Sequence, residues 1–380
     1  MKVLIVPSWY PQGEDKLMGI YHKEYASALA KRGIDVDMLF VSRERLKHPF
    51  KYLFMKKFEI EEADGYKVYK IRMLNVEALN VKLFMCIYKK RLEKLYKKYL
   101  KFSSSPDILH AQVTLPAGYA TCKLGEKYDI PVLITEHSSN LRKYFEGAYA
   151  PYGKYALSNA RYSTVSKLMK DQIEDLKSDV DVIPNLIDTK FFHRDRYKRG
   201  STLKIALVSA FRIGKGIEYA IEAISILVSK GFKDVHLNIV GDGYNMDYYK
   251  SVSDKFKMND YITFLGRKTK SDIADLLSKS DIFLVSSDYE SFCIPGVEAL
   301  ASGLPVVSTR CHGPEEYLDN KCGEFCDIKD PEGMASAIEK VYNKLDKYDI
   351  KYLRHVADKY SDEAVCKKAV KIYEDMKKSA

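Results

Sequence analysis

Short apolar runs separated by amphipathic stretches fill most of this chain, which predicts strands buried on both faces joined by covering helices. Lys2 to Val6 is the first such run. It leads through a loop containing Gly13 and Gly19 into a helix from about Ile20. There Tyr21, Tyr25, Ala28 and Leu29 keep helical spacing, Gly33 closes the helix, and Ile34 to Val41 supplies a second strand. Pro106 to His110, Val132 to Thr135 and Tyr162 to Ser166 read as further strands, with Val182 to Asp188 the last strand and the exit of a first domain. Val81 to Phe102 puts Phe84, Ile87, Tyr88, Leu92, Leu95 and Tyr99 on one helical stripe, while Lys89, Lys90, Arg91, Lys94, Lys97, Lys98 and Lys101 lie mainly outside it. Such a helix either covers its own sheet or lies on an anionic membrane. Arg43 to Gly65 has no clear period, only patches such as Phe50, Tyr52, Leu53, Phe54 and Phe58.

The pattern restarts after Thr189 to Thr202, a linker-like stretch with five Arg and Lys. Lys204 to Ser209 reads as a strand, Phe211 to Gly216 as a loop, and Ile217 to Ser229 as a helix. Val235 to Val240 is a strand ending in Gly241, Asp242 and Gly243, and Ile262 to Leu265 another with Gly266 and Arg267 at its edge. Ile282 to Ser286 is a short apolar strand followed by a polar turn. Pro295 suits the first position of a helix through Glu298, Ala299, Leu300 and Ala301. Gly303 fits a left-handed cap, and Leu304 to Ser308 is the next buried strand. At 380 residues the chain exceeds one ordinary core and suggests two domains.

Composition adds constraints. Hydrophobic content of 46% and charged content of 30% fit a soluble globular protein. No apolar run approaches the roughly 20 residues that span a bilayer. The first residues lack the apolar region and cleavage site of a signal peptide, so the chain is expected in the cytoplasm. Seven cysteines without a pairing pattern fit a reducing compartment, and Cys322 and Cys326 lack further ligands for zinc. Of the net charge of +10, an equal surplus lies in Val41 to Phe102, with 17 Lys and Arg against 7 Asp and Glu. That region calls for an anionic partner, such as the inner face of the cell membrane, where the chain would bind peripherally, or a phosphorylated acceptor. Nucleic acid is not expected, because no reading motif accompanies the charge.

The candidate chemistry gathers at strand ends. The backbone amides of Ser291, Phe292 and Cys293, beside a helix start, favour a bound phosphate. Carboxylates would be repelled there, so Glu290 and Glu298 more naturally accept hydrogen bonds from hydroxyls; their plainer reading is solvation or helix capping. A diphosphate flanked by sugars, as in a nucleotide sugar, fits both. Arg212 and Lys215 can grip that diphosphate. His137, at the edge of a strand, can donate to a hydroxyl when neutral and reach a phosphate when protonated.

Glu290, Ser291 and Phe292, then Glu298, Ala299, Ala301, Gly303, Pro305 and Val306, resemble the signature of the retaining GT-B glycosyltransferases often called family 4. The resemblance implies an α/β, GT-B fold: two facing Rossmann-like doubly wound domains with a cleft between them. These would be residues 1–190 and 203–361, with a helix at about 362–380 rejoining the first. It implies that Gly19 faces the donor diphosphate, that Glu290 and His137 contact the transferring sugar, and that Glu298 holds the ribose. The loops at Gly241 and Arg267 would hold the base, and Lys215 and Arg212 would neutralise the departing diphosphate. Three places depart from the family pattern: Ala210 stands where arginine is usual, Gln112 where a second histidine is usual, and Leu186 where glycine is usual. The implied reaction moves a sugar from a nucleotide sugar, UDP- or GDP-linked, to an acceptor hydroxyl of a glycan or lipid-linked saccharide. It would proceed with retention and without a metal or other cofactor. A sugar-nucleotide epimerase on the same scaffold, or a non-catalytic sugar-nucleotide or polysaccharide-binding protein, are the alternatives.

Overall fold

The structure, a computed structural model, describes residues 1–12, 18–44, 56–193, 195 and 199–379. Gly13, the patch at Phe50, Tyr52, Leu53 and Phe54, and part of the linker lie outside the described residues. The chain divides into two compact units, one of Met1–Leu186 with Val365–Ala380 and one of Ile187–Ala364.

The first unit holds β1 (Lys2–Pro7), β2 (Asp35–Glu44), β3 (Phe58–Glu62), β4 (Lys67–Leu74), β5 (Ile108–Gln112), β6 (Val132–Glu136), β7 (Arg161–Thr164) and β8 (Val180–Val182). They lie in the order β3-β4-β2-β1-β5-β6-β7-β8, parallel throughout except for β3 against β4. Val3 to Val6 have no exposed surface, as their apolar run requires. The chain winds outward from β1 through β2, then returns to β5 on the other side, so the order reverses between β1 and β5. At such a point the crossover connections diverge and leave a crevice at the carboxyl ends of the strands.

Two expectations for this unit need correction. β8 stops at Val182 rather than running to Asp188, because Pro184 has no amide to offer a neighbouring strand. The region read as lacking a period supplies β3, and β4 follows it; there Lys67, Lys70 and Arg72 interleave with buried Val68, Ile71 and Met73. The basic helix, Val81–Tyr99, starts where Asn80 Oδ1 accepts from Leu83 N at 2.8 Å. It buries Phe84, Met85, Tyr88, Leu92, Leu95, Tyr96 and Tyr99 against β2, β4 and the helix Tyr119–Tyr128. Ile87 is only half-buried. The apolar stripe is therefore core, and no helix among the described residues is long and apolar enough to cross a membrane.

The helix Asp362–Ser379 sends Val365, Cys366, Ala369, Ile372, Tyr373 and Met376 into the core formed by Val3, Ile5, Leu29 and Met38. Lys377 Nζ anchors its end to Asp107 Oδ1 at 2.8 Å.

The second unit carries β9 (Leu203–Val208), β10 (Val235–Val240), β11 (Ile262–Gly266), β12 (Ile282–Val285), β13 (Val306–Thr309) and β14 (Gly323–Cys326). All are parallel, in the order β11-β10-β9-β12-β13-β14, so the reversal falls between β9 and β12. Ile205, Leu207, Leu237 and Ile239 pack on Ile221, Ile224 and Leu227 of the helix Ile217–Ser229. They also meet Met334, Ile338 and Val341 of Pro331–Tyr342, a helix the sequence reading did not name. Both units are doubly wound, Rossmann-like α/β layers, as expected.

Leu92→Ala should cost about 2–5 kcal/mol, since a fully buried leucine leaves a cavity. Lys94→Ala on the exposed face of the same helix should stay within about 0.5 kcal/mol. Urea unfolding midpoints distinguish the two, and equal losses would remove the core assignment of the stripe.

Candidate functional site

In the second unit the loops leaving β9 and β12 meet. Gly216 sits at φ 61°, and a side chain there would lie 1.9 Å from the carbonyl oxygen of Ser286. Only glycine permits that approach. Ser286 Oγ donates to Lys215 O at 2.8 Å and Asp288 N to Gly214 O at 2.9 Å, which locks one loop to the other. Lys215, itself buried, donates its ammonium to Glu290 Oε1, which also accepts from Ser287 Oγ at 2.7 Å. Glu290 is pinned through its backbone: its N–H donates to Cys311 O at 2.7 Å and its carbonyl accepts from Gly313 N at 2.9 Å.

Two non-glycine residues beside this pair hold left-handed backbone, Cys293 at φ 67° and His312 at φ 78°. Such strain persists where neighbours over-determine it, and it gathers at functional sites. Cys293 precedes the helix Ile294–Ala301 and caps it with no side-chain hydrogen bond, so the site borders a positive helix end. Burial pushes the Cys293 thiol well above its ordinary range, which keeps it neutral and unreactive.

The other residues singled out by the sequence take different places. The Phe292 ring is buried against Tyr317 and Tyr360, so only its backbone can meet a ligand. Ser291 and Glu298 are half-buried, the latter in the body of the short helix. Arg212 is exposed and pairs with no acid among the described residues; its carbonyl accepts from Tyr249 Oη at 2.9 Å. Gly241 is required by packing, because a side chain there would lie 1.8 Å from Ser209 O. Arg267 reaches Asp242 at 3.5 Å with both side chains about half exposed, a weak contact. The structure thus joins Lys215 to Glu290 and leaves Arg212 and Arg267 on outer loops.

In the first unit, His137 follows β6 and is held at both ring nitrogens, with Asn185 Oδ1 3.1 Å from Nδ1 and the Gln112 carboxamide 2.7 Å from Nε2. The proton positions follow from the chain of partners. Ser163 Oγ donates to Ile134 O at 3.0 Å, Thr135 Oγ1 to Ser163 at 2.7 Å and His110 Nε2 to Thr135 at 2.8 Å. His110 Nδ1 is left to accept from Tyr373 Oη at 2.6 Å. The carboxamide oxygen of Gln112 accepts from His137 Nε2 at 2.7 Å, and its nitrogen lies 3.1 Å from His110 Nε2. Neutral His137 then carries its proton on Nε2, aimed at Gln112. Burial lowers its pKa to about 3, so the protonated form expected to reach a phosphate is disfavoured.

Gly19 is left-handed at φ 74°, starts the helix Ile20–Ala30 and rests on Trp9, whose carbonyl oxygen would be 2.6 Å from an added side chain. Sequence reasoning missed Glu136. Fully buried, it accepts from Thr114 N at 2.8 Å and Thr114 Oγ1 at 2.5 Å, and from His137 N at 2.9 Å and Ser138 N at 2.6 Å. It braces the ends of β5 and β6. A carboxylate closing an apolar strand was the one signal for it. His22 was also missed; it is buried edge-on to His137 with ring centroids 4.9 Å apart.

His110 has no exposed surface, and burial lowers its pKa from 6.5 to about 3. The unfolded chain therefore binds this proton first as pH falls, and stability present above pH 6.5 is lost towards pH 3. Between pH 7.5 and 5 this one group should cost about 2 kcal/mol. Urea unfolding at both values should show a smaller acid loss in His110→Gln than in the parent chain; identical losses would show that His110 titrates normally.

Comparison with known proteins identifies the family. Residues 18–191 match the family Glycosyltransferase Family 4 and residues 188–354 match Glycosyl transferases group 1. An uncharacterised glycosyltransferase of Methanocaldococcus jannaschii is 29% identical over 249 residues, 63% of this chain and 67% of that protein. Several other curated relatives are matched over a third to two thirds of their own length, from 33% to 63%. The sucrose-phosphate synthase of Thermosynechococcus elongatus superposes over 100% of both chains with a TM-score of 0.78 at 17% identity. Anabaena HepE in complex with UDP gives 0.75 at 16% identity, covering 99% of this chain and 100% of that one. Two family matches that together span most of the chain place it among the GT-B glycosyltransferases of group 1 and family 4.

Proposed function

We propose that this chain is a retaining, metal-independent glycosyltransferase that moves a hexose from a nucleotide sugar to an acceptor hydroxyl in surface polysaccharide or glycolipid synthesis. The observation that carries this reading is the Lys215–Glu290–Ser287 cluster at the reversal between β9 and β12, beside a helix start with open amides. Lys215 and Glu290 hold each other in the unliganded chain. A diphosphate would draw the ammonium of Lys215 away and free Glu290 for a sugar hydroxyl. Arg212 would add charge from its outer loop, and Glu298 would accept from the ribose. His137, neutral, would serve the sugar as a hydrogen-bond donor or acceptor.

In the reaction, the acceptor oxygen bonds to the anomeric carbon while that carbon's bond to the diphosphate oxygen breaks. The acceptor's proton passes to the leaving phosphate on the same face, which retains the configuration. Lys215 and the helix end balance the charge that develops on the phosphate. The bound UDP of the Anabaena relative supports a UDP-sugar as the first donor to try. An anionic membrane is the proposed setting, because the outward face of the helix Val81–Tyr99 presents Lys82, Lys90, Lys94 and Lys97 beside exposed Leu79 and Leu83.

Glu290→Ala should lose roughly 100-fold in turnover with nucleotide affinity kept within about threefold, while Glu298→Ala should weaken nucleotide binding about tenfold. Assays of sugar transfer and calorimetric titration with UDP and GDP read the two effects, and unchanged values in both variants would remove the assignment. Thermal shifts with nucleotides test the wider reading, since a ligand that binds the folded chain raises its melting temperature. A chain that no nucleotide stabilises is not this transferase.

A further inference from the structure

The second unit forms a cavity of about 340 Å³ away from the Lys215–Glu290 cluster. Asn320 and Lys321 precede the first residue of β14, while Lys344, Lys347, Tyr348 and Asp349 follow the helix Pro331–Tyr342 that runs back from its last. Tyr352, on the helix Ile350–Asp358, completes the lining. In a parallel sheet this is the amino edge of the strands, opposite the loops that carry Lys215 and Glu290.

The acids around this cavity are already engaged. Asp319 accepts from Tyr352 Oη at 2.5 Å and from Lys321 N at 2.9 Å, Glu324 from Lys344 Nζ at 3.1 Å, and Asp349 from Lys351 N at 2.9 Å. These contacts fix the walls. The ammonium groups of Lys321 and Lys347 form no ion pair with an acid among the described residues, and Lys321 Nζ stands 5.3 Å from the centre of the Tyr352 ring. The buried hydroxyl of Tyr348 also lacks a hydrogen-bond partner.

Two unpaired cations beside two tyrosine rings suit a ligand that is anionic at one end and has a flat C–H face at the other. A phosphate group answers the lysines as a point charge meets a point charge. A pyranose ring can lay its C–H face on tyrosine and still offer hydroxyls at its rim. The volume lies at the small end of the range for ligand sites, about 300–1,000 Å³, which suits one monosaccharide rather than a dinucleotide-sized molecule. We propose that this cavity binds a phosphorylated monosaccharide, at a site separate from that of the nucleotide sugar.

Calorimetric titration of the full chain with glucose 6-phosphate, glucose and inorganic phosphate tests the site. Glucose 6-phosphate should bind at least about tenfold more tightly than either of its halves, and a Lys321→Glu, Lys347→Glu double variant should lose at least about tenfold of that affinity. Both lysines are exposed, so the variant should keep its circular dichroism and its thermal response to UDP. Binding that survives in the double variant overturns the site, as does equal affinity for phosphate alone, competition by UDP, or failure of glucose 6-phosphate to bind. A chain that binds glucose 6-phosphate at these lysines but no nucleotide would sustain this site and remove the transferase reading instead.

Discussion

A buried cation needs a buried anion, and the pairing of Lys215 with Glu290 meets that need where the second unit's sheet reverses. Their side chains are only 10% and 18% exposed, so neither charge can rely on water. The pair exists because Gly216 lets one loop touch the other and because Glu290 is bound through its backbone to the chain at Cys311 and Gly313. Any anion that replaces Glu290 as the partner of Lys215 inherits a desolvated, directed ammonium. The same exchange leaves a carboxylate seeking donors, which sugar hydroxyls supply. Under the proposed function, one contact would therefore link the local fold to both ends of a nucleotide sugar.

The first unit solves a related problem with neutral groups. His110, His137, Gln112, Thr135, Ser163 and Tyr373 lie against one another in a connected run of hydrogen-bonding groups. Glutamine at position 112 fits this run because its two ends can accept from one imidazole and donate to the next. A second histidine there would offer a different arrangement of donors. Glu136 meets the same demand with charge, gathering hydrogen bonds from the ends of two strands.

Local grammar carried much of this into the sequence. Pro295 and Gly303 bracket the short helix, and buried runs such as Lys2–Val6 and Ile282–Val285 mark the strands beside each reversal. What stayed hidden depends on partners far along the chain. β4 carries Lys67, Lys70 and Arg72 because its charged positions find acids on β3 and β2, a fact no window of β4 contains. Glu290 and Lys215 each stood out in the sequence as candidate ligand groups, but their mutual bond joins residues 75 positions apart. His137 was read correctly as a strand-end residue, while its tautomer depends on Asn185 and Gln112 together.

The helix Asp362–Ser379 belongs to the core of the unit that the chain begins, yet it is translated after the whole of the other unit. During synthesis the first sheet therefore waits, its Val3, Ile5 and Tyr25 face uncovered, until Tyr373 and Ile372 have left the ribosome. The second unit, continuous in sequence, can close earlier. Domains usually fold in the order of synthesis, and here that order is inverted for the final closure of the first core. A nascent chain halted before this helix would present an open apolar face to chaperones.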